Sequence, residues 1–137
     1  MIIYNSVITP DGTILNSRHV HDYITYTDKN GKEYMADGGV SYLRCSNNGD
    51  ERFFSVDSED PFEIVRKYLY RWNRYSRNYV PLCNISDGWL QNIIDWFKMY
   101  KMTDNRIFWL FIEEKLYRSE EEIYVEESDN YTLDYEQ

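Results

Sequence analysis

The stretch His19-Val20-His21-Asp22-Tyr23-Ile24-Thr25-Tyr26-Thr27 runs into Asp28-Lys29-Asn30-Gly31 and out through Lys32-Glu33-Tyr34-Met35-Ala36. Its first piece is rich in β-branched and aromatic residues, which suit a pleated, half-buried surface. Asn30-Gly31 is the strongest short hairpin signal, because both residues tolerate positive φ at little cost. The stretch therefore predicts two antiparallel strands. Working outward, residues 2–8 and 13–15 read as further strands joined by the turn Pro10-Asp11-Gly12. Downstream, Gly38-Gly39 breaks the run and residues 41–45 resume it, before the loop Asn47-Asn48-Gly49-Asp50.

Beyond the loop the pattern changes to helix. Asp60-Pro61-Phe62-Glu63 offers Asp at N-cap, Pro at N1 and Glu at N3, the ingredients of a capping box. Phe62, Val65, Leu69 and Trp72 follow at helical spacing, predicting a helix over 61–76. Ser86 caps a second predicted helix, 87–101, with Leu90, Ile93, Ile94 and Phe97 as its apolar stripe. A third, 104–118, carries Ile107, Phe108, Phe111, Ile112 and Leu116. Strands first and helices after is the α+β order. The expected architecture is an N-terminal antiparallel sheet of about four strands, packed against three C-terminal helices.

The 137 residues, 42% hydrophobic and 18% aromatic, suffice for one domain with a packed core. The net charge of −9 is unevenly spread. Ser119 to Gln137 holds eight acids and no base, which leaves 16 acids against 15 bases in residues 1–118. The expected division is a single α+β domain, 1–118, followed by an acidic tail, 119–137. Ile123, Tyr124, Val125, Tyr131, Leu133 and Tyr135 interrupt that tail, so it is suited to docking as well as to solvation. The chain carries no run of about 20 apolar residues and no signal-peptide pattern at its start, so an intracellular protein without a membrane span is expected.

Signatures of catalysis are missing. There is no phosphate-binding glycine loop, nucleophile elbow or dinucleotide fingerprint, and Cys83 has no neighbouring base. No catalytic residue and no cofactor is expected. His19 and His21 share a face in a strand and could ligate a metal with Asp22 or Asp37. The chain has only these two histidines, however, and Asp22 falls on the opposite face. Hydrogen bonding across the sheet is the plainer reading, with no metal. In the predicted first helix, Arg66, Tyr70, Arg74 and Arg77 fall near one face, opposite the apolar stripe. Duplex nucleic acid needs many unopposed cations, which this nearly neutral body lacks. A compact anion needs only two or three arginines and an aromatic platform.

Ser17-Arg18-His19-Val20-His21-Asp22-Tyr23 and Asp37-Gly38-Gly39-Val40-Ser41-Tyr42-Leu43-Arg44 make the chain recognisable. It resembles a family of small tailed-phage proteins reading Ser-Arg-His-x-His-Asp-Tyr, an Asp/Asn-Gly hairpin, and Asp-Gly-Gly-x-x-Tyr-Leu-Arg. The likeness continues through Asp60-Pro61, Val80-Pro81-Leu82, Ser86-Asp87 and Leu116-Tyr117-Arg118, covering about residues 1–118. Where those proteins have a Phe-x-Trp segment and a Gly-containing loop, this chain has Leu69-Tyr70-Arg71-Trp72-Asn73-Arg74-Tyr75. The family is in turn similar to the phage Thoeris anti-defence sponges, which sequester a cyclic ADP-ribose signal without cleaving it. The resemblance implies a non-enzymatic anti-defence protein in the cytoplasm of an infected bacterium, assembled as a homodimer or larger homo-oligomer. In these motifs Arg18 and Arg44 would hold phosphate oxygens, and Tyr23 or Tyr42 would stack on a base. His19 and His21 would donate hydrogen bonds to the ligand or fix the tyrosines. Trp72, as a further stacking face, and Arg74 are candidates from the predicted first helix, where the chain departs from the family. The plainer reading of the six N-terminal residues is a buried polar network that stabilises the sheet. The alternative is an acidic inhibitor that binds a host defence protein, such as a CRISPR or other effector, through its tail or an apolar helical surface.

Overall fold

The computed structural model describes residues 1–18, 23–37 and 44–127, Arg44 in its backbone only. It is mixed α+β: among the described residues six strands precede the first helix, α1 (Phe62–Tyr68), and a hairpin and two longer helices follow. The antiparallel N-terminal strands and the three helices match the architecture that the sequence predicts. The chain divides into two compact units, Met1–Leu69 and Tyr70–Gln137.

In the first unit, β1 (Ile2–Ile8) lies between β2 (Ile14–Ser17) and β6 (Arg52–Asp57), both antiparallel to it. A second sheet is ordered β3 (Tyr23–Thr27), β4 (Glu33–Asp37), β5 (Arg44–Cys45). The β3–β4 hairpin turns at Asn30-Gly31, with Gly31 at φ 81°. Asp28 Oδ1 stabilises the turn by accepting from the Asn30 and Lys32 amides at 2.9 Å. Val7 and Leu15 of one sheet pack with Tyr34 and Ala36 of the other, and Tyr26 and Cys45 close the margin. Burying a Leu- or Val-sized side chain is worth roughly 1.5–3 kcal/mol, so this small cluster is a substantial part of the unit's stability. Helix α1 joins through Tyr68, whose ring lies 4.9 Å from Tyr4 and 5.3 Å from Phe54. Strand β6 gave no signal in the sequence, because adjacent Phe53 and Phe54 break the alternation of an edge strand and both remain exposed.

The predicted helix over 61–76 is corrected to seven residues. Leu69 leaves helical geometry at φ −86°, ψ 113°, and the chain enters a hairpin of β7 (Tyr70–Asn73) and β8 (Asn78–Pro81). Tyr70 to Trp72 and Tyr79-Val80 favour extended backbone and can pair only if the helix ends first. Buried Asn73 fixes the connection: its Oδ1 accepts from the Tyr75 and Ser76 amides at 3.0 and 3.1 Å. The capping box is also corrected. Asp60 accepts from the Asp57 amide at 2.9 Å, closing the preceding turn, and no side chain caps α1.

The second unit continues through a 3-10 turn (Leu82–Asn84) into α2 (Asp87–Met99) and α3 (Arg106–Glu121). Ser86 caps α2 as the sequence predicts, accepting from the Trp89 amide at 3.1 Å, while Asn105 caps α3. Leu90, Ile93, Phe97, Phe108 and Phe111 are buried, as are Val65 and Leu69 in the first unit. Trp72, expected among them, is 43% exposed because it sits on the hairpin and not on a helix. The acidic segment from Ser119 opens as the last turn of α3. Glu122 then reverses the chain at φ 54°, and Val125 exchanges hydrogen bonds with the backbone amide and carboxylate of Asp87.

Candidate functional site

The sheet β3–β4–β5 brings the two distinctive sequence segments together by its register. Tyr23 stands opposite Asp37, and Asp37 opposite Arg44, so the three form one row across the three strands. Tyr23, the last residue of the first segment, is at one end of this row, and Asp37 and Arg44, the first and last residues of the second, are at the other two positions. Tyr23 is 60% exposed, as a stacking platform requires. Arg18, half-buried, follows directly from the buried Ser17 at the end of β2. His19, His21 and Tyr42 lie outside the described residues, as does the Arg44 side chain.

The outer face of the sheet continues from Tyr23 as a shallow groove of about 380 Å³, lined by Thr25, Thr27, Glu33, Met35 and Ser46. Its floor is held from below. Tyr34 donates to the Asp50 carboxylate at 3.2 Å, and Lys32 Nζ bonds the same group at 2.6 Å. The lysine holds the Asp50 carboxyl below its ordinary range, and burial raises the Tyr34 phenol. Glu51 accepts from the Ser46 hydroxyl and from the Asn48 and Gly49 amides, which keep it ionised against partial burial. At the same level of the hairpin, Tyr26, paired with Tyr34, donates to Asp11, which also accepts from Thr9 and has its carboxyl pulled far below the usual range. These bonds brace the turn end of the hairpin, away from Tyr23.

Trp72 and Arg74 belong to the second unit. The Arg66, Tyr70, Arg74 and Arg77 helical face is corrected: only Arg66 is on α1, and the others are on the hairpin or its turn. Trp72 pairs across the hairpin with Tyr79, their rings 5.0 Å apart and edge-on. Arg74 lies 5.1 Å over the Tyr75 ring and donates to its hydroxyl at 3.1 Å. Arg71 sits over Phe97 and Phe111 at 5.9 and 5.6 Å.

A residue whose role the sequence hid is Arg118, the end of Leu116-Tyr117-Arg118. It is 4% exposed and bonds three partners: Glu114 at 2.6 Å, Asp87 at 2.8 Å and the Leu82 carbonyl at 2.9 Å. The guanidinium thus ties α3 to the 3-10 turn and to the start of α2, a structural task. The i,i+4 spacing from Glu114 was the available signal, but nothing in it distinguishes a buried pair from a surface one.

Among the described residues no group of three or more His, Cys, Asp or Glu could hold a metal ion. No helix among them is long and apolar enough to cross a membrane. No protein-family model, curated protein or solved structure matches the chain.

Proposed function

We propose that the chain binds a cyclic nucleotide signal of the cyclic ADP-ribose type at the Tyr23 end of the β3–β4–β5 sheet and holds it without turnover, as an anti-defence protein of a phage. The observation that carries this reading is the row Tyr23, Asp37, Arg44, because it makes neighbours of two segments 14 or more residues apart in sequence. Stacking of a base on an exposed tyrosine is worth ~1–3 kcal/mol, and arginines at positions 18 and 44 supply charge-assisted bonds to a diphosphate. The Asp37 carboxylate suits a ribose diol. His19, His21 and Tyr42 complete the site in this reading, in a homodimer or larger homo-oligomer. Arg18 and Arg44 would also offset the ligand's charge locally in a protein whose net charge is unfavourable to anions.

A protein-binding role is favoured by a different observation. Trp109 and Leu116, seven residues apart on α3, are both exposed, and the acidic segment follows them in the chain. Such a stripe suits an apolar, basic surface on a host defence protein. A thermal-shift titration separates the two. Under the nucleotide reading, ligand at 100 times its dissociation constant stabilises the fold by about 2.7 kcal/mol. No shift with any cyclic or ADP-ribose-type nucleotide would overturn it in favour of the protein-binding role.

A further inference from the structure

Strand β6 is the outer strand of the β2–β1–β6 sheet, and no strand among the described residues lies on its far side. Arg52, Phe53, Phe54 and Ser55 are exposed in succession, the two phenylalanines by 53% and 42%. Edge strands are usually blunted by proline, lysine or an inward-pointing charge, and Phe53-Phe54-Ser55-Val56 has none of these. Between the strand and α1 lies a groove of about 390 Å³, lined by Phe54, Val56, Asp60, Ile64, Lys67 and Tyr68.

The hydrogen bonds already made fix which backbone groups point outward. The Ser58 amide bonds the Met1 carbonyl at 2.7 Å, and the Phe54 carbonyl accepts from the Ser6 hydroxyl at 3.0 Å. Even-numbered residues of this stretch therefore turn toward β1. The Asp57 amide turns the other way and donates to Asp60 at 2.9 Å. By alternation Phe53 and Ser55 present their N–H and C=O groups to the open side. Two antiparallel copies of β6 can bond only through such outward residues. A register centred on Ser55 needs the occupied Asp57 amide, and one centred on Phe53 sets Ser55 against Glu51, beyond the strand. Centring on Phe54 avoids both: Phe53 of each copy exchanges hydrogen bonds with Ser55 of the other. The two Phe54 Cα atoms then lie ~4.5 Å apart, with their rings in contact. Arg52 of each copy stands opposite Val56 of the other, which shares the groove with Asp60, so guanidinium meets carboxylate twice.

We propose that a second copy of the chain docks on β6, joining two three-stranded sheets into one of six strands about a two-fold axis at Phe54. Closed symmetry stops this assembly at two copies. The half-exposed phenylalanines offer roughly 60–130 Å² each, and with one short strand they fall below the ~1,200 Å² of a stable complex, so the dimer is weak and reversible. The nucleotide reading concerns the other sheet, and a chain that fails to pair through β6 can still bind there.

The test is sedimentation velocity of the full chain in ~0.15 M salt, which screens the charge of −9 on each copy. Monomers should give way to dimers between ~5 and ~500 µM, and no larger species should form. Hydrogen exchange at the Phe53 and Ser55 amides should slow roughly fivefold or more over that range. Phe53→Pro removes an outward donor and leaves the β1 ladder intact, so circular dichroism should match wild type while the dimer weakens about tenfold or more. Arg52→Glu and Asp60→Arg should each weaken it alone, and an equimolar mixture of the two should restore it, because each copy then supplies the charge the other needs. Should Phe53→Pro or Asp60→Arg misfold, Arg52→Glu and the exchange pattern of the unaltered chain decide. A monomer throughout, a dimer indifferent to Phe53→Pro and Arg52→Glu, or protection confined to other amides would overturn the proposal.

Discussion

Replacing Arg118 by Ala tests the network on which the second unit depends. The guanidinium is 4% exposed and its partner Glu114 is fully buried, so the pair is shielded from water. Removing one member of a buried pair leaves the other charge without its neutralising contact, at a cost of about 3–5 kcal/mol. The Leu82 carbonyl loses a donor at the same time. The Asp87 contact adds little to this figure, because its carboxylate is 47% exposed and water replaces the arginine. Against a total of ~5–15 kcal/mol for a domain of this size, the variant should retain only marginal stability. Its melting temperature should fall by roughly 10–20 °C, followed by circular dichroism alongside urea denaturation. The double variant Glu114→Leu/Arg118→Met removes both charges and fills much of their volume, so it should recover at least half of the loss. A loss below about 1 kcal/mol in Arg118→Ala, or a double variant less stable than the single, would refute the reasoning.

Four further outcomes are expected. Asp11, Asp50 and Glu51 all have carboxyl groups held below their ordinary range in the folded state. Their contribution is therefore present above the unfolded value of ~4 and lost as pH falls through the lower folded values, so urea midpoints should drop below pH ~4, and less steeply in Asp11→Asn. Asn73→Ala should cost about 1–2 kcal/mol in chemical denaturation, because two turn amides lose their acceptor. Ending the chain after Arg118 should cost about 1–2 kcal/mol in the same assay, since it removes the last turn of α3 and the Val125–Asp87 bonds. Tyr23→Ala and Arg44→Ala should each weaken nucleotide binding by ~1–3 kcal/mol, measured calorimetrically, with stability changed by less than about 1 kcal/mol.

Local chemistry made much of the fold legible. Asn30-Gly31 dictated the β3–β4 turn, Ser86 capped α2, and the Leu90, Ile93, Phe97 spacing named buried residues correctly. The failures arose where two readings shared the same residues. Leu69 and Trp72 continue a helical period, yet Tyr70 to Trp72 also form a strand once Asn73 can organise the turn. That choice is settled by pairing with Asn78 to Pro81, a contact absent from any window around residue 70. Strand β6 was hidden because an edge strand with exposed phenylalanines shows no alternation. In the candidate site, the motifs were visible as segments, but the adjacency of their terminal residues came only with the register Tyr23, Asp37, Arg44. Arg118 looked like the end of a motif, and only its burial against Glu114 and Leu82 reveals a structural task.

The central claim, that a nucleotide is held at the Tyr23 end of the β3–β4–β5 sheet, is tested most directly by amide chemical-shift mapping of the full chain during titration with cyclic ADP-ribose isomers. The account predicts saturable shifts concentrated in residues 17–23 and 37–44, abolished by Tyr23→Ala with Arg44→Ala, and recovery of the nucleotide intact afterwards. Saturable shifts confined to other residues, a cleaved nucleotide, or no shifts at millimolar nucleotide would contradict it.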